Sequence, residues 1–173
     1  MNDFLNPRRT RRSFIAAAGG FLAAACLPEI TAGGDAPSQP TDRPLGWALV
    51  GLGTLSINEL LPALTKTTSA KLAALVSGHP DKANALAKKY SLDPKHIYNY
   101  DNFDSIKDDP DVDVIYIVLP NGMHAEYTVR AAKAGKHVFS EKPMANTAAE
   151  CQQMIDACNA AKKMLGVGYR MQY

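Results

Sequence analysis

The sequence has little cysteine, few aromatic residues and no excess of either charge. Three cysteines in 173 residues are too few for a framework of disulfides. Cys151 and Cys158 lie on what reads as one helix, roughly 10 Å apart along its axis, which is too far for a bridge. Nineteen Lys and Arg stand against seventeen Asp and Glu. The first 36 residues hold four of the basic and three of the acidic side chains, so the rest is close to neutral. That balance offers no electrostatic footprint for nucleic acid, and no metal centre is expected. The longest apolar run, Phe14 to Leu27, falls short of the roughly 20 residues that cross a bilayer. A more local absence matters most. "LAALVSGHPDKA", residues 72 to 83, reads as a buried strand running into a helix, and its turn carries no acidic residue where many nucleotide-binding folds keep one.

What is present begins with an address. Four arginines precede the apolar run, and small residues follow it, which is the layout of an export signal. "TRRSFI", Thr10 to Ile15, matches the twin-arginine pattern. Residues 1–36 are therefore expected to be an export signal read by the twin-arginine machinery, with the protein destined for the periplasm. The cleavage point is open between Ala23-Ala24-Ala25 and the region from Ala32 to Ala36, and Cys26 is a weak lipidation signal. Residues 37–45, within the proline-rich "APSQPTDRPLG", are expected to form a linker or arm.

From residue 46 to 173 short apolar runs alternate with helical patterns. "WALVGLG", "KLAALVS", "DVIYIVLP", "KHVFSEKP" and "MLGVGY" read as strands, apolar on both faces. Strands buried on both faces belong to a parallel sheet covered by helices, so the expected fold is α/β with a doubly wound parallel sheet. Pro80 suits a helix start, Thr147 with Glu150 forms a capping box, and Gly135 reads as a helix-ending glycine. Pro62 argues for a kink or a late start in the first helix.

The chemistry-bearing motifs sit at the strand ends. "VGLGTLS" supplies Gly51, Gly53 and Ser56 in the spacing G-x-G-x-x-S, which permits a tight turn, a close approach to a pyrophosphate and a small residue for helix packing. Such a turn also occurs without a ligand. Ser77, twenty-one positions after Ser56, stands where an acid would bind the 2′-hydroxyl of NAD and repel a 2′-phosphate. With the acid gone, Ser77, the Gly78 amide and Lys82 can receive that phosphate, which favours NADP; the alternative is an ordinary strand end and a solvated lysine. "LPNGMHAEY" contributes Asn121 and His124, which are equally at home in a turn and a helix start. "SEKPM" puts Glu141 and Lys142 at the end of a strand, where ligands bind in open sheets.

Together "VGLGTLS", "LVSGHPDKA", "LPNGMHAEYTVRAAKAGKHVFSEKPM" and "GVGYRMQY" resemble the Gfo/Idh/MocA oxidoreductases, and within them the glucose–fructose oxidoreductase branch. The resemblance covers about residues 45 to 173 and concerns the nucleotide-binding Rossmann half. It implies Lys142 as the catalytic residue. It implies cofactor contacts at Gly51, Leu52, Gly53, Thr54, Leu55, Ser56, Ser77, Gly78, Lys82, Tyr100, Leu119, Pro120, Asn121, His124, Glu141, Lys142 and Arg170. The implied activity is hydride transfer between sugars, with glucose and fructose as candidates, and tightly bound NADP. Family members continue into a second α/β domain that carries the substrate pocket and usually the oligomer interface. The present chain is therefore expected to be a fragment, a truncated product or half of a split protein, inactive alone, whose full-length form is a homo-oligomer. The alternative is a non-catalytic NADP-binding module serving as a sensor or partner subunit.

Overall fold

Alternation of apolar strands with amphipathic helices becomes, in the computed structural model, a six-stranded parallel sheet over the described residues 43–169. The expected export signal, most of the expected linker, and Arg170 lie outside those residues. The strands are β1 (Leu45–Val50), β2 (Ala70–Val76), β3 (Ile97–Tyr98), β4 (Val114–Ile117), β5 (His137–Ser140) and β6 (Leu165–Val167), in the order β3-β2-β1-β4-β5-β6. Every pairing is parallel. The order reverses between β1 and β4, and that reversal opens a crevice at the carboxyl ends of the strands.

Five strands were expected and six are found. β3 is two residues long, pairing Ile97 and Tyr98 with Leu75 and Val76, too short to show a period. β1 begins at Leu45, the last residue of the expected linker, because Leu45 pairs with Ala70.

The helices keep their expected punctuation. α2 (Pro80–Lys89) begins on Pro80. α3 (His124–Lys133) is followed by Gly135, whose φ of 73° only glycine adopts cheaply. In α4 (Ala148–Ala160) Thr147 and Glu150 form the reciprocal capping box. The first helix starts well before Pro62. It is wound as a π turn over Ser56–Leu60 and continues as α1 (Leu61–Leu64). The π turn lets the Leu61 amide reach the Ser56 carbonyl, so a widened turn precedes the proline instead of a late start.

The two sheet faces pack differently. Ala48, Val50, Ile115, Ile117 and Val138 join Tyr127, Ala131, Met154 and Cys158 among the buried residues, and most of them form one cluster with Phe103 and Ile106. Leu49, Leu61, Leu75 and Leu86 form the second cluster. On that second face Trp47, Tyr116 and Phe139 remain half-buried; Tyr116 meets both other rings edge-on, with Tyr116 and Phe139 centroids 4.8 Å apart, and Trp47 lies tilted against Phe139. Cys151 and Cys158 are both free.

Candidate functional site at the carboxyl ends of the strands

The site begins with the loop that leaves β1. Gly51 has φ of 92°, and a side chain there would collide with the Val118 carbonyl; the fold itself demands glycine. Gly53 differs. Its φ is ordinary and a Cβ would meet no atom of the described residues within 4 Å, so nothing in their packing requires glycine. Such a position leaves room for a second molecule against the backbone. Ser56 is fully buried, and its hydroxyl donates to the Gly51 carbonyl at 2.6 Å, pinning the loop. The Ile57 amide donates to the Gly53 carbonyl at 3.0 Å, which ties the loop to the start of the first helix. Leu52 is buried, while Thr54 and Leu55 stand more open at the mouth of the loop.

Beside it is the end of β2. Ser77 is 3% exposed; its Oγ accepts from the His79 amide at 3.1 Å and its own amide donates to the Tyr98 carbonyl. Lys82, one turn into α2, reaches back so that Nζ lies 3.4 Å from the Leu52 carbonyl. A cation thus stands between the glycine loop and the neutral turn after β2. Gly78 is in contact with Tyr100: a Cβ would lie 3.0 Å from the ring. Burial pushes the Tyr100 phenol above its ordinary pKa, and a hydrogen bond from the Gly78 amide offsets part of that rise.

On the other side of the crevice lie the segments after β4 and β5. Leu119 is buried, Pro120 is exposed, and Asn121 opens a single turn of 3-10 helix, Asn121–Met123, with its side chain exposed. Lys142 is exposed, and its Nζ has no hydrogen-bond or ion-pair partner among the described residues. The Lys142–Pro143 peptide bond is cis. Glu141 accepts from the Tyr116 hydroxyl through Oε1 at 2.7 Å and from the Lys142 amide through Oε2 at 3.3 Å. His124 is fully enclosed, with Nδ1 2.8 Å from the Pro143 carbonyl and Nε2 2.8 Å from the Leu119 carbonyl.

Three contributors escaped the sequence. Tyr116 reads as a core strand residue, and only the register, which pairs it with Phe139, brings its hydroxyl to Glu141. Tyr169 accepts from the Met144 amide at 3.3 Å, bracing the turn that holds Lys142. Arg130 donates to the Tyr100 carbonyl at 3.1 Å and stacks over Phe103 and Tyr127 at 4.9 and 4.8 Å. Each lies in a stretch that sequence reading marked for other residues, and only the pairing order shows what its side chain meets.

Glycine loop, topological reversal and convergent polar strand ends define a dinucleotide-binding Rossmann domain. The family profile described as "Oxidoreductase family, NAD-binding Rossmann fold" matches residues 45–169, and the chain belongs to this Gfo/Idh/MocA oxidoreductase family. It is 32% identical over 126 residues to inositol 2-dehydrogenase of Salmonella typhimurium, covering 72% of this chain and 37% of that protein. It is 30% identical over 131 residues to D-xylose 1-dehydrogenase [NADP(+)] of Haloarcula marismortui, covering 76% and 36%. Among solved structures it resembles the aldose–aldose oxidoreductase of Caulobacter crescentus complexed with glycerol, at TM-score 0.73 and 46% identity, over 75% of this chain and 39% of that one. The 3-ketoreductase KijD10 of Actinomadura kijaniata, in complex with TDP-benzene and NADP, gives TM-score 0.67 and 25% identity, over 75% and 40%. The chain thus spans well under half the length of these relatives.

Proposed function

We propose that the chain is the cofactor-binding part of an NADP-dependent sugar oxidoreductase of the glucose–fructose oxidoreductase type. The observation that carries this reading is the pairing of a neutral Ser77 with Lys82 beside the glycine loop. A 2′-phosphate needs a hydroxyl donor and a nearby cation and is repelled by a carboxylate; β2 ends in the first two and lacks the third. The open space at Gly53 suits the pyrophosphate. Names of relatives agree, since one is an NADP(+)-dependent xylose dehydrogenase and one was solved with NADP.

Bound NADP would supply the hydride acceptor and donor. The chain's own residues orient and neutralise. Lys142, whose Nζ has no partner among the described residues, would hold the reacting sugar oxygen and take up the hydroxyl proton as hydride leaves the adjacent carbon. In the reverse direction it would stabilise the negative charge that develops on a carbonyl oxygen as hydride arrives and return the proton to it. Glu141, held by Tyr116, would keep the Lys142 turn in place. Glucose and fructose are the proposed substrates, and a longer form of the protein would assemble as a homo-oligomer.

Calorimetric titration tests the cofactor. NADP should bind more tightly than NAD, and Lys82→Ala should cost NADP about 1.5–3 kcal/mol, the range for a charge-assisted hydrogen bond, with NAD nearly unchanged. Equal losses for both would refute the NADP reading. The proposal extends to export: the pair Arg11 and Arg12 would direct folded protein to the periplasm with its cofactor loaded. Replacing both by Lys should retain the protein in the cytoplasm; unchanged periplasmic protein on fractionation would defeat that part.

A further inference from the structure

His124 begins α3 and is 0% exposed. Its two nitrogens face two carbonyl oxygens, Pro143 on one side and Leu119 on the other, each at 2.8 Å. Carbonyl oxygens only accept, so a neutral ring donates to one of them at a time and a ring protonated on both nitrogens to both. The two carbonyls belong to different segments. Leu119 lies in the loop leaving β4, and Pro143 in the turn leaving β5 that carries Lys142. These strands run side by side, with Ile117 opposite Ser140. The last backbone hydrogen bond between their ends runs from the Glu141 amide to the Ile117 carbonyl at 3.0 Å. Past that point, among the described residues, His124 stands between the two segments. Enclosed, and with both nitrogens facing backbone carbonyls, the ring has no exposed surface to touch a ligand, so any effect on the site passes through the backbone beside it.

We infer that His124 is a positioning residue: it sets the Lys142–Pro143 turn against the Leu119–Asn121 loop and so shapes the nicotinamide end of the crevice, leaving the adenosine end alone. This rests on the NADP reading above. The asymmetry follows from the strand order. A dinucleotide crosses the reversal point between β1 and β4. Its adenosine half then lies over β2, beside Ser77 and Lys82, and its nicotinamide half over β4 and β5. His124 holds segments of the second group only. The remaining braces of that turn, Glu141 Oε2 on the Lys142 amide and Tyr169 on the Met144 amide, bond the residues flanking Pro143 and leave its carbonyl to His124.

The experiment compares binding of NADPH and of 2′,5′-ADP, which lacks the nicotinamide, to the full chain and to two variants. The amide nitrogen of Asn falls near the place of Nδ1, and that of Gln near Nε2, so His124→Asn keeps the Pro143 bond and His124→Gln keeps the Leu119 bond. The Gln variant should weaken NADPH roughly tenfold, the equivalent of one lost hydrogen bond, while 2′,5′-ADP changes less than about twofold. The Asn variant should retain NADPH within about threefold. Equal losses of both ligands in the Gln variant, or no loss of either, overturn the role. Should the Gln variant fail to fold, histidine-ring NMR of the unaltered chain decides: NADPH should shift the His124 signals and 2′,5′-ADP should leave them, and signals unmoved by both overturn it. An unaltered chain that binds neither ligand defeats the NADP reading and the His124 role together, whereas equal losses on a binding-competent chain defeat the His124 role alone.

Discussion

The two rims of the sheet are built on opposite plans. At the amino ends of the strands the polar groups consume one another. Arg43 grips Asp113 with two bonds of 2.8 Å, and the Gly46 amide donates to the same carboxylate at 2.7 Å. Asp109 accepts from His96 at 2.6 Å, from the Tyr98 hydroxyl at 2.9 Å and from the Asp111 amide at 3.0 Å, while Lys136 donates to the Asp109 carbonyl at 2.7 Å. Burial pushes the Asp109 carboxyl up, but the bonds from His96, Tyr98 and Asp111 outweigh it and hold the group below the ordinary carboxylate value. At the carboxyl ends, among the described residues, Lys142 has no partner, Gly53 borders open space, and Lys82 leans on a carbonyl at the long distance of 3.4 Å. One rim is a fastening, and the other holds its donors ready for a ligand. A cluster of His96, Asp109 and Asp111 close enough to hold a cation belongs to the fastening, since His96, Tyr98 and Lys71 already occupy its oxygens.

That contrast can be broken from either side. Asp109→Ala should have the largest effect on stability, about 3 kcal/mol, because it removes a buried carboxylate that three donors share and leaves the half-buried His96 and Tyr98 without that partner. Chemical unfolding would measure it, and NADP affinity at the far rim should stay within about twofold. Gly51→Ala should cost about 2–3 kcal/mol, since alanine would have to hold a left-handed backbone against the Val118 carbonyl, and cofactor binding should fall with it.

Acidification should loosen the amino rim first. Asp109 and Asp113 both titrate below their ordinary value in the folded chain; for Asp113 burial opposes the shift and the bonds from Arg43 and Gly46 win. Their contribution is therefore complete above the unfolded value of about 4 and is lost as pH falls through the depressed folded values. Melting temperature should drop in that window, and Asp113→Asn should flatten the drop. Smallest for stability is Gly53→Ala, worth no more than about 0.5 kcal/mol of unfolding free energy, because its Cβ meets open space. The same change should cut NADP affinity at least about tenfold by filling the place of the pyrophosphate. Calorimetry of the Gly51 and Gly53 variants side by side would show whether the loop separates into a structural glycine and a functional one.

Much of this was legible along the chain. Pro80, the Thr147–Glu150 box and Gly135 each act over one turn of helix, so local sequence shows them and the fold keeps them. The strands β1, β2, β4, β5 and β6 were visible because each is apolar over several residues. β3 was not, since two residues carry no period, and of the kink or late start that Pro62 suggested the late start is excluded, because a π turn upstream supplies the slack that a regular helix lacks.

What the sequence determined by itself was the chemistry available at each strand end: two glycines and a serine after β1, a hydroxyl and a lysine without an acid after β2, and Glu-Lys-Pro after β5. What only the tertiary structure decided was which of these groups face a ligand and which face each other. Gly51 and Gly53 look alike in the motif, yet one is demanded by a neighbouring carbonyl and the other is not. His124 is equally at home in a turn and a helix start by sequence, and only the fold shows the two carbonyls that its nitrogens face. Lys82 acquires its relation to Leu52 only when β1 and β2 lie side by side. The physical reason is one of range: turn and capping preferences act within a few residues, whereas the direction in which a polar group spends its hydrogen bonds is set by strand pairings that join segments dozens of residues apart.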